Sequence, residues 1–152
     1  MDIVFHIKKF IQDFRYRRLK MGHNSRVGLG VRINFPERMS VGNNSYINGG
    51  DFIIGESSSI TIGNDCLISY NVHFRTVTHC YEDKKLLIRQ QGHKESDIVV
   101  EDDVWVGFGA QIMPGTTLHK GCVVGAGSVV THDVPSYAVV GGVPSHIIKF
   151  RE

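Results

Sequence analysis

From Val100 onward the chain repeats every six residues, as VEDDVW, VGFGAQ, IMPGTT, LHKGCV, VGAGSV and VTHDVP. The first position of each unit is Val, Ile or Leu. The fifth is always small or β-branched: Val104, Ala110, Thr116, Cys122, Ser128, Val134. An amphipathic helix places apolar residues at i, i+3, i+4 and i+7, and a half-buried strand alternates every two. A period of six fits neither. It fits a parallel β-helix, in which each unit lays down one short strand and one turn. The aliphatic residue then points inward and the small one fills the crowded corner beside it.

The same pattern runs raggedly upstream, through Val27-Gly28, Ile33, Val41-Gly42 and Ile47, with insertions near Pro36 and between Ile47 and Ile54. It is regular again from Ile62, as IGNDCL, ISYNVH and FRTVTH. Glycines at the second position (Gly42, Gly55, Gly63, Gly107, Gly125) are expected where a turn needs backbone angles other residues avoid. Residues 80–99 are polar, charged and fit no hexapeptide. They are expected to leave the coil as a structureless loop walling a pocket. Past Pro135, the pair Gly141-Gly142 and Pro144 end the coil, and Ile147, Ile148 and Phe150 are expected to tuck against it.

At the other end, Ile3, Ile7, Phe10, Ile11 and Phe14 form one helical stripe among Lys8, Lys9, Arg15, Arg17 and Arg18. Residues 1–26 are therefore expected to be an amphipathic helix that caps the open end of the coil, as repeat folds require. The alternative is peripheral contact of residues 3–19 with an anionic membrane. Residues 27–152 form the coil and its tail.

A chain of 152 residues is one domain by length. Its net charge of +2 gives no ground for a nucleic-acid partner. Cys66, Cys80 and Cys122 form no CxxC pair and no even framework, which favours a reducing compartment. No secretory signal is evident and no apolar run approaches the ~20 residues that span a bilayer. The expected location is the cytoplasm or the inner face of its membrane.

The segments WVGFGAQIMPG, VVGAGSVVTHDVP and VVGGVPSHIIKFR resemble the hexapeptide-repeat acyltransferases. The likeness is to the coenzyme A half of the sugar O-acetyltransferase branch, which includes galactoside, maltose and polysaccharide acetyltransferases. It covers roughly residues 41–151. It implies an all-β fold, a left-handed parallel β-helix shaped as a three-sided prism, with a short N-terminal helix and an excursion loop at about 80–99. The hand comes from the resemblance alone, since parallel crossovers are otherwise right-handed. The resemblance also implies acetyl-CoA as co-substrate, no metal, a homotrimer with sites between copies, and a sugar or glycan acceptor of bacterial surface polysaccharide synthesis.

Transfer of an acetyl group to a sugar hydroxyl needs a base, and neutral imidazole is the usual one. His79, in TVTHCYED ahead of the excursion and of Trp105, matches the family's catalytic histidine. By the same resemblance Trp105 lines the coenzyme site, the Phe108 amide meets the thioester carbonyl as an oxyanion donor, and Ala126 contacts the pantetheine arm. Thr131, His132, His146 and Lys149 lie towards the phosphates. Sugar-acetylating members tend to carry serine at 108, lysine at 132 and arginines near 146 and 149, so the charges here are softer. For the acceptor, Asn48 matches a sugar-binding asparagine, and Asn71, Glu82 and Asp83 are further candidates near His79. A carboxylate could orient the imidazole. Cys66 and Cys122 fill fifth positions and read as packing, which leaves Cys80 as the one thiol placed for a covalent route. Alternative readings are an antibiotic acetyltransferase, a γ-carbonic-anhydrase-like zinc enzyme using His73, His79 and His93, or a non-catalytic β-helix protein.

Overall fold

The computed structural model describes residues 3–152. Parallel strands stack into a coil with three strands per turn. The first face pairs Lys20–Met21, Met39–Val41, Ile60–Ile62, Ile98–Val100 and Thr117–Leu118 in that order, all parallel. The second face stacks Leu67–Ile68, Trp105–Val106, Val123–Val124 and Ala138–Gly141. The third stacks Val72–Arg75, Gln111–Ile112 and Val129–Val130. Two longer strands, Arg26–Ile33 and Tyr46–Ile53, run round the corner from the second face to the third and join both into one sheet.

The inward columns are those the repeat predicts. Val100, Val106, Ile112, Leu118, Val124 and Val130 are buried, as are the fifth-position residues from Val104 to Val134. Phe52 and Phe74 stack inside the third face with ring centroids 4.9 Å apart. The coil repeats every 18 residues between Val100 and Leu118, and 38 residues separate their partner Ile62 from Val100. The excess is the excursion.

Second-position glycines are needed for a different reason than the sequence suggests. Positive φ occurs instead at the fourth position, at Asn44, Asp65, Asp103, Gly109, Gly115, Gly121 and Gly127. At Gly107 a Cβ would lie 2.7 Å from the Ala126 nitrogen and 2.8 Å from the Val124 oxygen of the next coil. At Gly107 the stacked backbones therefore approach too closely for a side chain, whereas the fourth position is where the chain turns.

The excursion is not structureless. Val77–His79 pairs antiparallel with His93–Glu95, so the chain leaves and re-enters through a short ladder. A polar network holds its base. The buried Thr76 Oγ1 accepts from the Gly55 N–H at 2.8 Å and contacts Ser58 Oγ at 2.6 Å. Glu95 accepts from the Ser57 and Glu56 amides and from the Ser57 and Ser58 hydroxyls. The Ser57 donors above all hold its carboxyl down at about 2.

At the C-terminus, His146–Phe150 adds antiparallel to Ala138–Gly141, with Ile147, Ile148 and Phe150 exposed rather than tucked in. Ile148 does lie over Gly141. At the N-terminus, helix α1 (Ile3–Arg15) meets the open edge of the first coil through polar groups. Gln12 Nε2 donates to the Gly28 carbonyl at 2.8 Å and the Tyr16 hydroxyl to the Val31 carbonyl at 2.8 Å. Tyr16 and Leu19 are buried there, while the apolar stripe of the helix is exposed.

Candidate active site

The residues singled out from the sequence fall into three groups. The first sits on the excursion, which departs from the corner between the third and first faces. His79 is exposed at its root and faces His93 across the ladder, with ring centroids 4.3 Å apart and planes at 39°. No carboxylate hydrogen-bonds to His79 among the described residues. Glu82 is instead paired with Lys94 at 2.6 Å, which together with the Tyr81 amide lowers its carboxyl to about 2. Asp83 accepts the Lys85 amide at 2.8 Å. Cys80 is half-buried, and its amide bonds to the Gly92 carbonyl.

The second group lies on the second face. A groove of about 460 Å³ is floored by Leu67, Trp105, Val123 and Val139 and edged by Lys149 and Arg151. Trp105 stands in it because each coil brings its sixth-position residue outward at this point, in register with Leu67 and Val123. Arg151 is partly committed, donating to Asp103 at 3.0 Å and to the Gly121 carbonyl at 2.8 Å. Lys149 has no ion pair among the described residues. An apolar strip ended by cations can seat an extended arm that carries phosphates.

The third group occupies the corner between the second and third faces. Asn71 (φ 55°), Phe108 and Ala126 are exposed there, with Asn48 half-buried one coil below. The Phe108 carbonyl accepts from Gly127 at 2.8 Å, but the Phe108 and Ala126 amides have no acceptor among the described residues. Two N–H groups without an internal acceptor at successive coils are available donors for a carbonyl. Asn71 therefore stands with Phe108 and not with His79. Thr131 and His132 follow the third face two coils beyond the excursion, bonded to each other at 2.9 Å. His146 begins the terminal strand beside Gly142.

One coil visits first face, second face and third face in turn, so the corner that emits His79 is opposite the face that bears Trp105. A single chain does not bring the two together.

The sequence grouped His93 with His79 only as part of a zinc alternative, and did not mark Glu95 as the clamp. Both follow only once the strands on either side of the excursion are known to pair. His73 lies on the third face with its Nδ1 3.4 Å from Asp51, which also binds Arg32. It does not converge with His79 and His93, and among the described residues no three metal-ligating side chains come together. Burial raises the Cys66 thiol, and pushes that of Cys122 up to about 12.

Comparison with known proteins gives a consistent result. Residues 97–132 match the family model described as bacterial transferase hexapeptide (six repeats). Galactoside O-acetyltransferase of Escherichia coli strain K12 is 32% identical over 85% of this chain and 62% of its own length. WbbJ of the same organism, named as a lipopolysaccharide biosynthesis O-acetyl transferase, is 30% identical over 86% of this chain and 71% of its own. Among solved structures, a hexapeptide-repeat acetyltransferase of Vibrio cholerae O1 biovar eltor, complexed with acetyl coenzyme A, superposes with a TM-score of 0.82 at 30% identity. That match covers 93% of this chain and 77% of the other. The chain spans less than two thirds of the galactoside enzyme it matches.

Proposed function

The chain belongs to the hexapeptide-repeat acetyltransferases, and on that premise we propose that it is an acetyl-CoA-dependent O-acetyltransferase acting on a sugar hydroxyl. The acceptor class is a surface polysaccharide of bacteria, or its precursor, consistent with the names of the galactoside and lipopolysaccharide relatives. The observation that carries the reading is the exposed His79, set at the root of a clamped excursion and, among the described residues, without a carboxylate partner.

In this reading His79 takes the proton of the acceptor hydroxyl as its oxygen bonds to the acetyl carbon. The Phe108 amide donates to the oxygen that gains charge. His79 then returns the proton to the departing sulfur, so no covalent enzyme intermediate forms. The groove at Trp105 fits the coenzyme arm, with Lys149 and Arg151 towards its phosphates, and His132 and His146 add imidazole donors. Because His79 and Trp105 lie on opposite sides of one prism, the site is completed by a neighbouring copy. A closed three-fold ring lets every copy give its excursion to one neighbour and its groove to the other. Asn48 and Asn71 then come from one copy and Glu82 and Asp83 from the next.

Thiol release from acetyl-CoA across a panel of sugars and glycan precursors tests the reading. Acceptor-dependent release that His79→Ala abolishes and Cys80→Ala retains is expected. Loss with Cys80→Ala instead would establish a covalent route, and absence of release with every acceptor would remove the proposal.

A further inference from the structure

We propose that helix α1 docks the protein, in plane, on an anionic lipid surface. Gln12 and Tyr16 bind the first coil's edge carbonyls, which turns that side of the helix towards the body. Phe10 and Phe14, two positions either side of Gln12, project about 160° away from it. Ile3 and Ile7 continue the same line, and Ile3 and Phe10 are 74% and 73% exposed. A helix built to seal the coil would turn this stripe inward. Here Tyr16 and Leu19, just past the helix, do the sealing together with the two hydrogen bonds, and the stripe faces out.

Charge selects the occupant. Residues 3–20 carry Lys8, Lys9, Arg15, Arg17, Arg18 and Lys20 against one carboxylate, Asp13. A second copy of this helix would bring like charges together across the contact. A lipid surface with anionic headgroups receives the aromatic and aliphatic side chains in its acyl boundary and the cations among its phosphates. Arg17 already lies over the Phe14 ring at 4.9 Å, so one apolar anchor and one cation share a position. The helix, about 20 Å long at 1.5 Å per residue, suits lying flat. Among the described residues no helix is long and apolar enough to cross a membrane. The inference is independent of the acetyl-transfer reading, and its test uses no activity.

The full chain is sedimented with vesicles of phosphatidylcholine alone and of phosphatidylcholine mixed with phosphatidylglycerol, at low and high salt. Binding to the mixed vesicles only, weakened by salt, is expected. The exposed pair Phe10→Ser with Phe14→Ser is expected to lower the partition at least tenfold, roughly the loss of two aromatic anchors each partly buried in the lipid. Circular dichroism establishes that this variant folds. Equal binding to neutral vesicles, no binding to either, or an unchanged partition in the double variant would overturn the proposal. So would self-association through the stripe, seen in sedimentation velocity as an assembly that the double variant loses without any vesicle binding.

Discussion

Two glycines of successive coils separate close stacking from turning as the reason for the repeat's glycines. Gly107 does not have positive φ, and a Cβ there meets the Ala126 nitrogen at 2.7 Å, the Val124 oxygen at 2.8 Å and the Gly125 carbon at 3.0 Å. All three are backbone atoms of the next coil and cannot swing aside. Gly107→Ala must push two coils apart at the point where the Gly107 N–H bonds to the Val124 carbonyl at 2.8 Å. Overpacking together with a strained backbone hydrogen bond predicts a loss of roughly 3 kcal/mol. Gly127 is the opposite case, with φ at 69° and nothing within 4 Å of a Cβ. Gly127→Ala carries only the left-handed penalty of about 1 kcal/mol. Asn71 occupies the equivalent corner with φ 55°, so Gly127→Asn is expected to recover most of that loss. Urea unfolding at one protein concentration, followed by the fluorescence of Trp105, measures all three. A loss at Gly127→Ala equal to or larger than that at Gly107→Ala would show that close stacking is not what requires glycine at 107.

Other consequences follow from the same geometry. Glu95 titrates at about 2 in the fold against 4.5 ordinarily. Its contribution to stability is therefore complete above the ordinary value and is lost as pH falls from 4.5 towards 2. The stability gap between wild type and Glu95→Gln should be open at neutral pH and close through that window, and a gap independent of pH would contradict the clamp. Phe52→Ala removes one ring of the buried stacked pair and is expected to cost about 3–5 kcal/mol in chemical denaturation. With a disulfide reagent at neutral pH, Cys80 alone should react in the native protein, because burial keeps Cys66 and Cys122 protonated. A second fast thiol would show that the coil opens.

The core was legible in the sequence because each hexapeptide position has one environment, so Val100 to Val130 could be read as inward from spacing alone. The physical reason behind each glycine was not legible, since a glycine at a close approach and a glycine at a turn are written alike. The excursion was visible as a break in register. Its ladder was not, because HKE opposite VTH carries no apolar alternation to mark a strand. Nor could the helix face be chosen from its stripe, since Gln12 and Tyr16 dock by hydrogen bonds to an edge. The site residues were individually legible. Their separation by a full prism width emerged only from the order of the faces, and the two longer upstream coils hide that order from simple counting.

In the proposed assembly, His79 of one copy serves the Trp105 groove of another. It is tested most directly by mixing two inactive variants, His79→Ala and Trp105→Asp, unfolding them together and refolding. In a three-fold ring formed at random from equal amounts, about one interface in four joins an intact His79 to an intact groove. Acetyl-transfer activity near a quarter of wild type is expected from the mixture and none from either variant refolded alone. A mixture that stays inactive, although both variants fold and assemble, would contradict a site shared between copies.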